Sequence, residues 1–417
     1  TRWVAMDPVD TFHFPDGSRF EVPADLETYR ARLDAEFPHQ REALDAFFAE
    51  VREAYFRGLM VYFRGRDEEL LGDLGPLSIT DVLDRHIGDR KLRLLLTADC
   101  PHWGSPPSRT SFVFDSMLRL SYFLGNFYPA GGSQAFADEL ARCFEERGGH
   151  ILMSTAADRI ELEDGRVAGV ALTTDRGGLK GEHRVAAEVV VSNADLRHTY
   201  RELLPAGTVP TSAMAVLDRL RPSFPCFLVH IGLRDVSDDV LREVQGYYWR
   251  HWDPDRVGRD GLVCKIFAPT LYEPAMAPEG GQVVILQKVQ EIDYGAIGDW
   301  PSHKAEVEAG MVAQLERVIP GVADRVVVRT AASARTSWRF TRNTVGAMLG
   351  WEMSPDQLGS DRPGIEGPVD GLFCVGHWVR PGGGITPVIV SAQQVAERVM
   401  RGGRRDPGLR AAAAASV

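Results

Sequence analysis

Apolar and polar residues alternate with a period of two over 10–23, where Phe12, Phe14, Phe20 and Val22 flank Pro15-Asp16-Gly17. That spacing around a turn tripeptide predicts a β-hairpin. The period then lengthens. Asp25 stands where it can cap a helix starting at Leu26, Phe37-Pro38 interrupts that helix, and a second is predicted over 39–56. Helical spacing resumes over 78–96, and PHWGSPPS, 101–108, reads as a loop.

An alternation of helix and strand signals follows. Gly131-Gly132 leads into a predicted helix over 133–147, which Gly148-Gly149 closes in the manner of a C-terminal glycine. A strand is predicted over 150–154, a hairpin over 159–172 turning at Asp164-Gly165, and a short buried strand over 188–192. From about 211 to 334 the strands lengthen, at 224–232, 263–268 and 283–289, and a helix over 304–318 stops at Pro320-Gly321. This pattern predicts a separate sheet-plus-helix domain. The chain returns at 372–376 to a buried strand, then glycines and a helix. No repeat is evident, and the tail 403–417, ending AAAAASV, is expected to be disordered.

A chain of 417 residues exceeds one ordinary core. A net charge of −11 argues against a nucleic-acid partner, which would need concentrated Lys and Arg. No apolar run reaches the length of a membrane span. Cys100, Cys143, Cys226, Cys264 and Cys374 are scattered without a CxxC pair, which suits reduced thiols in a cytoplasmic protein and offers no metal site. Cys374 lies in an apolar strand pattern and is expected to be buried. Thr1 follows either a removed initiator Met or a truncation, and the opening residues show neither a signal peptide nor a glycine-rich nucleotide loop. AYFRGLMVYFRG, 54–65, has two readings: peripheral contact with a membrane surface, or a buried helix with snorkelling arginines.

Two segments carry chemistry. In GLFCVGHWVRPGGGITPVIVSAQQVAERVM, 371–400, a strand ends at Gly376, and a glycine loop precedes a helix with Pro387 in its first turn. Such a start aims unpaired N–H groups and the positive end of the helix dipole at whatever lies above it. A tight strand-to-helix turn without a ligand is the alternative. The second segment, YPAGGSQAFADELARCFEERGGHILMSTAADRIELEDGRVAGV with EVVVSNAD, supplies the helix, strand, hairpin and strand of a doubly wound nucleotide fold.

Together they resemble the phytoene desaturase-related flavoproteins, a family of carotenoid desaturases, carotenoid isomerases and retinol saturases. The matching pieces include 129–132 with Leu140, Ala157 and Ile160, Asp164 to Val167, 190–195, Trp103-Gly104-Ser105-Pro106, YEPAMAPEG at 272–280, Ile319-Pro320-Gly321, NTVGAMLG at 343–350, and 381–385. The resemblance runs from about 12 to 400. It implies an α/β fold, FAD/NAD(P)-binding, doubly wound and glutathione reductase-like, with an inserted sheet-plus-helix substrate domain and a helical cap. The division it implies is 1–128 (partial FAD-domain strands plus helical cap and substrate region), 129–205 (FAD-binding), 206–340 (substrate-binding) and 341–402 (C-terminal FAD-binding). Two departures stand out. No G-x-G-x-x-G run occurs, Pro387 standing where a third glycine would be, so the reading is either a lost N-terminal βαβ unit, which is favoured, or a paralogue that no longer holds FAD. His377 also stands where many related flavoproteins carry an acidic residue.

The resemblance implies that Ala157 contacts adenine, with Asn193 and Ala194 near the same half of FAD. Gly376 and His377 would face the pyrophosphate and ribityl chain, and Gly384, Ile385 and Thr386 the pyrimidine edge of the flavin. A flavin needs mainly orientation and desolvation from the protein, so no catalytic base is required. His251, Arg335 and Trp338 are the catalytic candidates. His251 lines a substrate cavity or belongs to a packing cluster; Arg335 binds an anion or, as favoured, pairs structurally; His230 reads as a packed residue. The expected function is FAD-dependent hydride transfer to or from an apolar polyene: desaturation, isomerisation or saturation. The alternatives are oxidation of an amine or secondary-metabolite intermediate, and a flavin-free binding protein. The expected partners are an apolar small molecule and a membrane surface touched peripherally; the sequence sets no oligomeric state.

Overall fold

The computed structural model describes residues 2–175 and 180–402; Thr1 and the tail predicted to be disordered lie outside the described residues. A short strand β1 (Trp3–Ala5) precedes the predicted hairpin, which forms as β2 (Asp10–His13) and β3 (Arg19–Val22) with Phe12, Phe14, Phe20 and Val22 buried. Asp25 caps α1 (Leu26–Glu36), accepting from Thr28 N at 2.7 Å, and the chain breaks at Phe37-Pro38 before α2 (Arg41–Gly58). The buried positions of α2, Leu44, Phe47, Phe48, Val51, Ala54 and Gly58, fall on one helical face. That face packs on α5 (Phe112–Tyr122), which follows α3 (Ile79–His86) and α4 (Arg90–Thr97). A Cβ at Gly58 would come within 2.7 Å of Val113 Cγ1 and 2.8 Å of Met117 Sδ, so the two helices meet this closely only because position 58 has no side chain.

Next come β4 (Phe127–Pro129), antiparallel to β1, and α6 (Gly132–Glu145). An antiparallel meander follows: β5 (Thr155–Glu163), β6 (Arg166–Thr174) and β7 (Gly181–Ala186). Then β8 (Val190–Ser192) leads through a single turn, α7 (Leu196–His198), to α8 (Thr211–Arg219). The second large unit comprises β9 (Cys226–Arg234), α9 (Asp238–Val244), β10 (Gly246–Trp249), β11 (Leu262–Phe267), β12 (Gly281–Val289), α10 (Trp300–Val318) and β13 (Val326–Ala332). After α11 (Ala334–Thr341) the chain reaches β14 (Leu372–Cys374), parallel to β8, and α12 (Ile385–Met400).

The strands of the second unit and the opening hairpin form one seven-stranded sheet, β13-β9-β12-β11-β10-β2-β3. All its pairings are antiparallel except β10 with β2. Along β9, Phe227, Val229, Ile231 and Leu233 alternate into a core shared with Met311 and Leu315 of α10, whereas His230 faces outward and is not the packed residue expected of it. The strand expected over 150–154 does not form; the chain becomes extended at Thr155, and Ile151, Leu152 and Met153 are exposed. An apolar run becomes a strand only beside another strand that takes up its N–H and C=O groups, and among the described residues none lies beside it.

Gly246 holds the hairpin to the sheet. Its φ is +131°, and a Cβ there would run into the carbonyl of Thr11. Gly246→Ala is therefore expected to destabilise the protein by about 2 kcal/mol or more, read as a lower denaturation midpoint. A midpoint within error of the wild type would show that this junction yields.

Candidate functional site

The site grows from the connection between β14 and α12. All three residues of β14 are buried, and Val375 N continues the parallel ladder by donating to Ser192 O at 2.9 Å. Gly376 ends the strand at φ +92°, where a Cβ would strike Asn193 Oδ1, and its N–H donates to Ser391 Oγ of α12 at 3.0 Å. Trp378 then plunges into the core against Trp351, with ring centroids 4.6 Å apart and Trp351 Nε1 donating to Trp378 O at 3.0 Å. The loop 381–384 is laid on the segment around Leu349, since a Cβ at Gly383 would lie 2.6 Å from Leu349 O. Asp195 binds the same segment to β8: its carboxylate accepts from Thr344 N at 2.6 Å and from His198 N at 3.0 Å.

Above the glycine loop lies a cavity of about 670 Å³. Gly383, Gly384, Ile385 and Thr386 form one wall; Tyr55 of α2, the π-turn that continues it (Leu59–Phe63), and Phe114 and Met117 of α5 form the other. The lining is mainly apolar, and it includes Arg64 and His102 but no Asp or Glu.

His102 joins the cavity to a polar chain. Tyr247 Oη lies 2.6 Å from its Nε2, and Lys265 Nζ donates to the same phenol oxygen at 3.0 Å, directing the phenol proton to the imidazole. Lys265 also donates to Asp10 Oδ1 at 2.8 Å. Burial, reinforced by the Lys265 charge, pushes the His102 pKa down to about 4, so the ring is neutral at physiological pH.

Of the residues expected at a cofactor, Gly384, Ile385 and Thr386 line the cavity. Asn193, Gly376 and His377 gather at the end of β14, with His377 Nε2 3.4 Å from Asn343 Nδ2. Burial and the nearby Arg362 push His377 down to about 4. Ala194 N donates to Ser192 Oγ at 3.3 Å, and Ala157 stands exposed on β5. The three catalytic candidates are outside the cavity lining. His251 is 3.4 Å from Asp260, Arg335 lies over the Trp300 ring, and the exposed Trp338 is covered by Arg342. His102 was missed because its partners come from three distant parts of the chain, and a lone loop histidine carries no spacing signal.

No family model matches the chain. It is similar to the neurosporene-forming phytoene desaturase of Rhodobacter capsulatus, 26% identical, with 95% of this chain and 79% of that protein covered. It is likewise similar to the all-trans-zeta-carotene desaturase of Myxococcus xanthus, 26% identical, covering 97% and 80%, and to the prolycopene isomerase of Daucus carota, 22% identical, covering 93% and 65%. Over more than nine-tenths of its length the chain is thus similar to carotenoid desaturases and isomerases. Among solved structures, an oxidoreductase from Methanosarcina mazei superposes with a TM-score of 0.63 at 15% identity, covering 94% of this chain and 82% of that one. A putrescine oxidase superposes at 0.60 and 12% identity, covering 96% and 82%. These superpositions show a shared α/β fold, and in this chain the cavity opens against the start of α12.

His102 gives the protein a testable titration. Its folded pKa lies below the ordinary 6.5, so the unfolded chain takes up a proton that the folded one refuses as pH falls from about 6.5 to about 4. Stability should drop across that window by about 3 kcal/mol from this group. His102→Gln is expected to flatten the decline, whatever its effect at neutral pH, in denaturant melts at pH 7, 5.5 and 4. Parallel curves for the two proteins would contradict the assignment.

Proposed function

We propose that this chain works as an FAD-dependent oxidoreductase that moves hydride between flavin and an apolar polyene. The observation that carries the reading is the apolar cavity walled by the glycine loop and the start of α12. The residues there fit the flavin end of FAD. A Cβ at Gly384 would meet only Pro387, at 3.4 Å, so a flat ring can approach the backbone. Val388 N makes the first bond of α12 to Gly384 O, which leaves the N–H groups of Ile385 and Thr386, two residues of the cavity wall, without a partner inside the helix. Gly376, His377, Asn193 and Ala194 would hold the ribityl and nucleotide portions, and Ala157 is assigned to adenine by resemblance alone. The sequence offers no G-x-G-x-x-G run for the pyrophosphate.

Flavin, when bound, supplies reversible hydride uptake. The chain's own contribution is desolvation and alignment: side chains of α2, α5 and the π-turn exclude water and hold an elongated apolar molecule along the loop 381–386. We assign the strands β9 to β13 and the helices α1 to α5 to the substrate side. The cavity's chemistry favours a polyene over an amine, because no carboxylate lines it to meet an ammonium group and its one permanent charge is Arg64. A polyene comes from a membrane, and we assign peripheral contact to 54–65, where Phe56 is exposed beside the cavity wall. No helix among the described residues is long and apolar enough to cross a membrane.

The test is direct. The full-length protein should purify with a flavin spectrum and alter the pigment profile of a polyene-producing host. Met117→Trp, which fills the cavity, should lower that conversion at least tenfold while the flavin spectrum persists. A flavin-bearing protein that leaves every polyene unchanged but oxidises an amine would replace this reading, and a colourless one would favour a binding role.

A further inference from the structure

Beneath the glycine loop lies an unusual charge. The Arg362 side chain is 1% exposed, yet among the described residues no carboxylate lies within 4 Å of its guanidinium. Its partners are backbone carbonyls: Nη1 donates to Glu352 O at 3.3 Å and Gln357 O at 3.2 Å, Nη2 to Trp351 O at 3.1 Å and His377 O at 3.0 Å. Nε is buried with no partner at all. The acidic residues near it in sequence are turned elsewhere: Glu352 binds Arg109 at 2.8 Å and Arg221 at 3.2 Å, Asp356 binds Arg221, Glu366 binds Arg398, and Asp361 is exposed. Burial lowers the Arg362 pKa to about 9, which still leaves it charged at neutral pH.

Its position gives the charge a direction. A Cβ on Gly382 would sit 3.4 Å from Arg362 Cζ, so the guanidinium lies directly under the loop whose next residues line the cavity. The first turn of α12 adds its own positive potential at the cavity wall. His377, the other titratable group in contact, is neutral. A buried cation is ordinarily paired, because an unpaired one is costly to desolvate. Carbonyl dipoles alone hold this one, and its field is left free to act on whatever occupies the space above the loop.

We propose that Arg362 is the counter-charge for the reduced, negatively charged edge of the flavin, acting through the loop as a positioning residue that raises the cofactor's reduction potential. This rests on the flavin reading above. A purely structural clamp on four carbonyls would support the loop equally well but would leave the potential indifferent to charge.

The experiment is a redox titration of the full-length flavin-loaded protein against indicator dyes, for wild type, Arg362→Lys and Arg362→Gln, with far-UV circular dichroism to verify folding. Arg362→Gln should lower the equilibrium constant for two-electron reduction at least tenfold, about 30 mV, while Arg362→Lys stays within about threefold of wild type. Should Arg362→Gln not fold, the wild type alone decides. With negative charge retained, one proton accompanies the two electrons, a tenfold change per pH unit or about 30 mV; with that charge neutralised, two protons do and the slope doubles. A doubled slope, or a folded Arg362→Gln with unchanged potential, overturns the role of Arg362 and leaves the flavin reading standing. A full-length protein that takes up no flavin overturns both.

Discussion

The centre of this molecule depends on backbone passing close to backbone. The strand, loop and helix from Leu372 to Met400 lie on the segment around 343–353, and at Gly350 and Gly383 the gap between them is too narrow for a Cβ. Trp351 and Trp378 lock the two layers by an edge-to-face contact and an indole hydrogen bond to a carbonyl. Because the layers are held by main chain rather than by adaptable side chains, the start of α12 is fixed in place, and the cavity inherits that rigidity on one wall.

The opposite wall is built differently. It consists of side chains on α2, α5 and the intervening π-turn, so its shape can be altered residue by residue without disturbing the glycine loop. The cavity thus has two kinds of wall: a backbone surface fixed by close main-chain contact, and an apolar surface made of side chains. The polar chain from His102 to Asp10 ties the cavity to the seven-stranded sheet.

What could be read from the sequence divides along the same line. The glycine loop announces itself locally: Pro381 to Gly384 permit few backbone paths, and Pro387 marks the first turn of a helix. The hairpin at Asp10 and the cap at Asp25 were legible for the same reason. The cavity wall was not, because Leu59, Met60 and Phe63 satisfy helical spacing equally well as core or as lining. The run at 150–154 misled because strand formation there depends on a neighbour rather than on its own residues. Arg362 gave no signal, since nothing in an arginine's local sequence reveals that its ion partner is missing.

The join between β2 and β10 has a consequence for how the protein is made. Phe12 pairs with Tyr247, and Asp10 with Lys265, so the hairpin of β2 and β3 finds its sheet only after synthesis has passed Lys265. Until then the hairpin's apolar face has no sheet to join. Contacts of such long sequence separation slow folding, and the nascent protein passes through a period in which the helical wall of its cavity exists without its support.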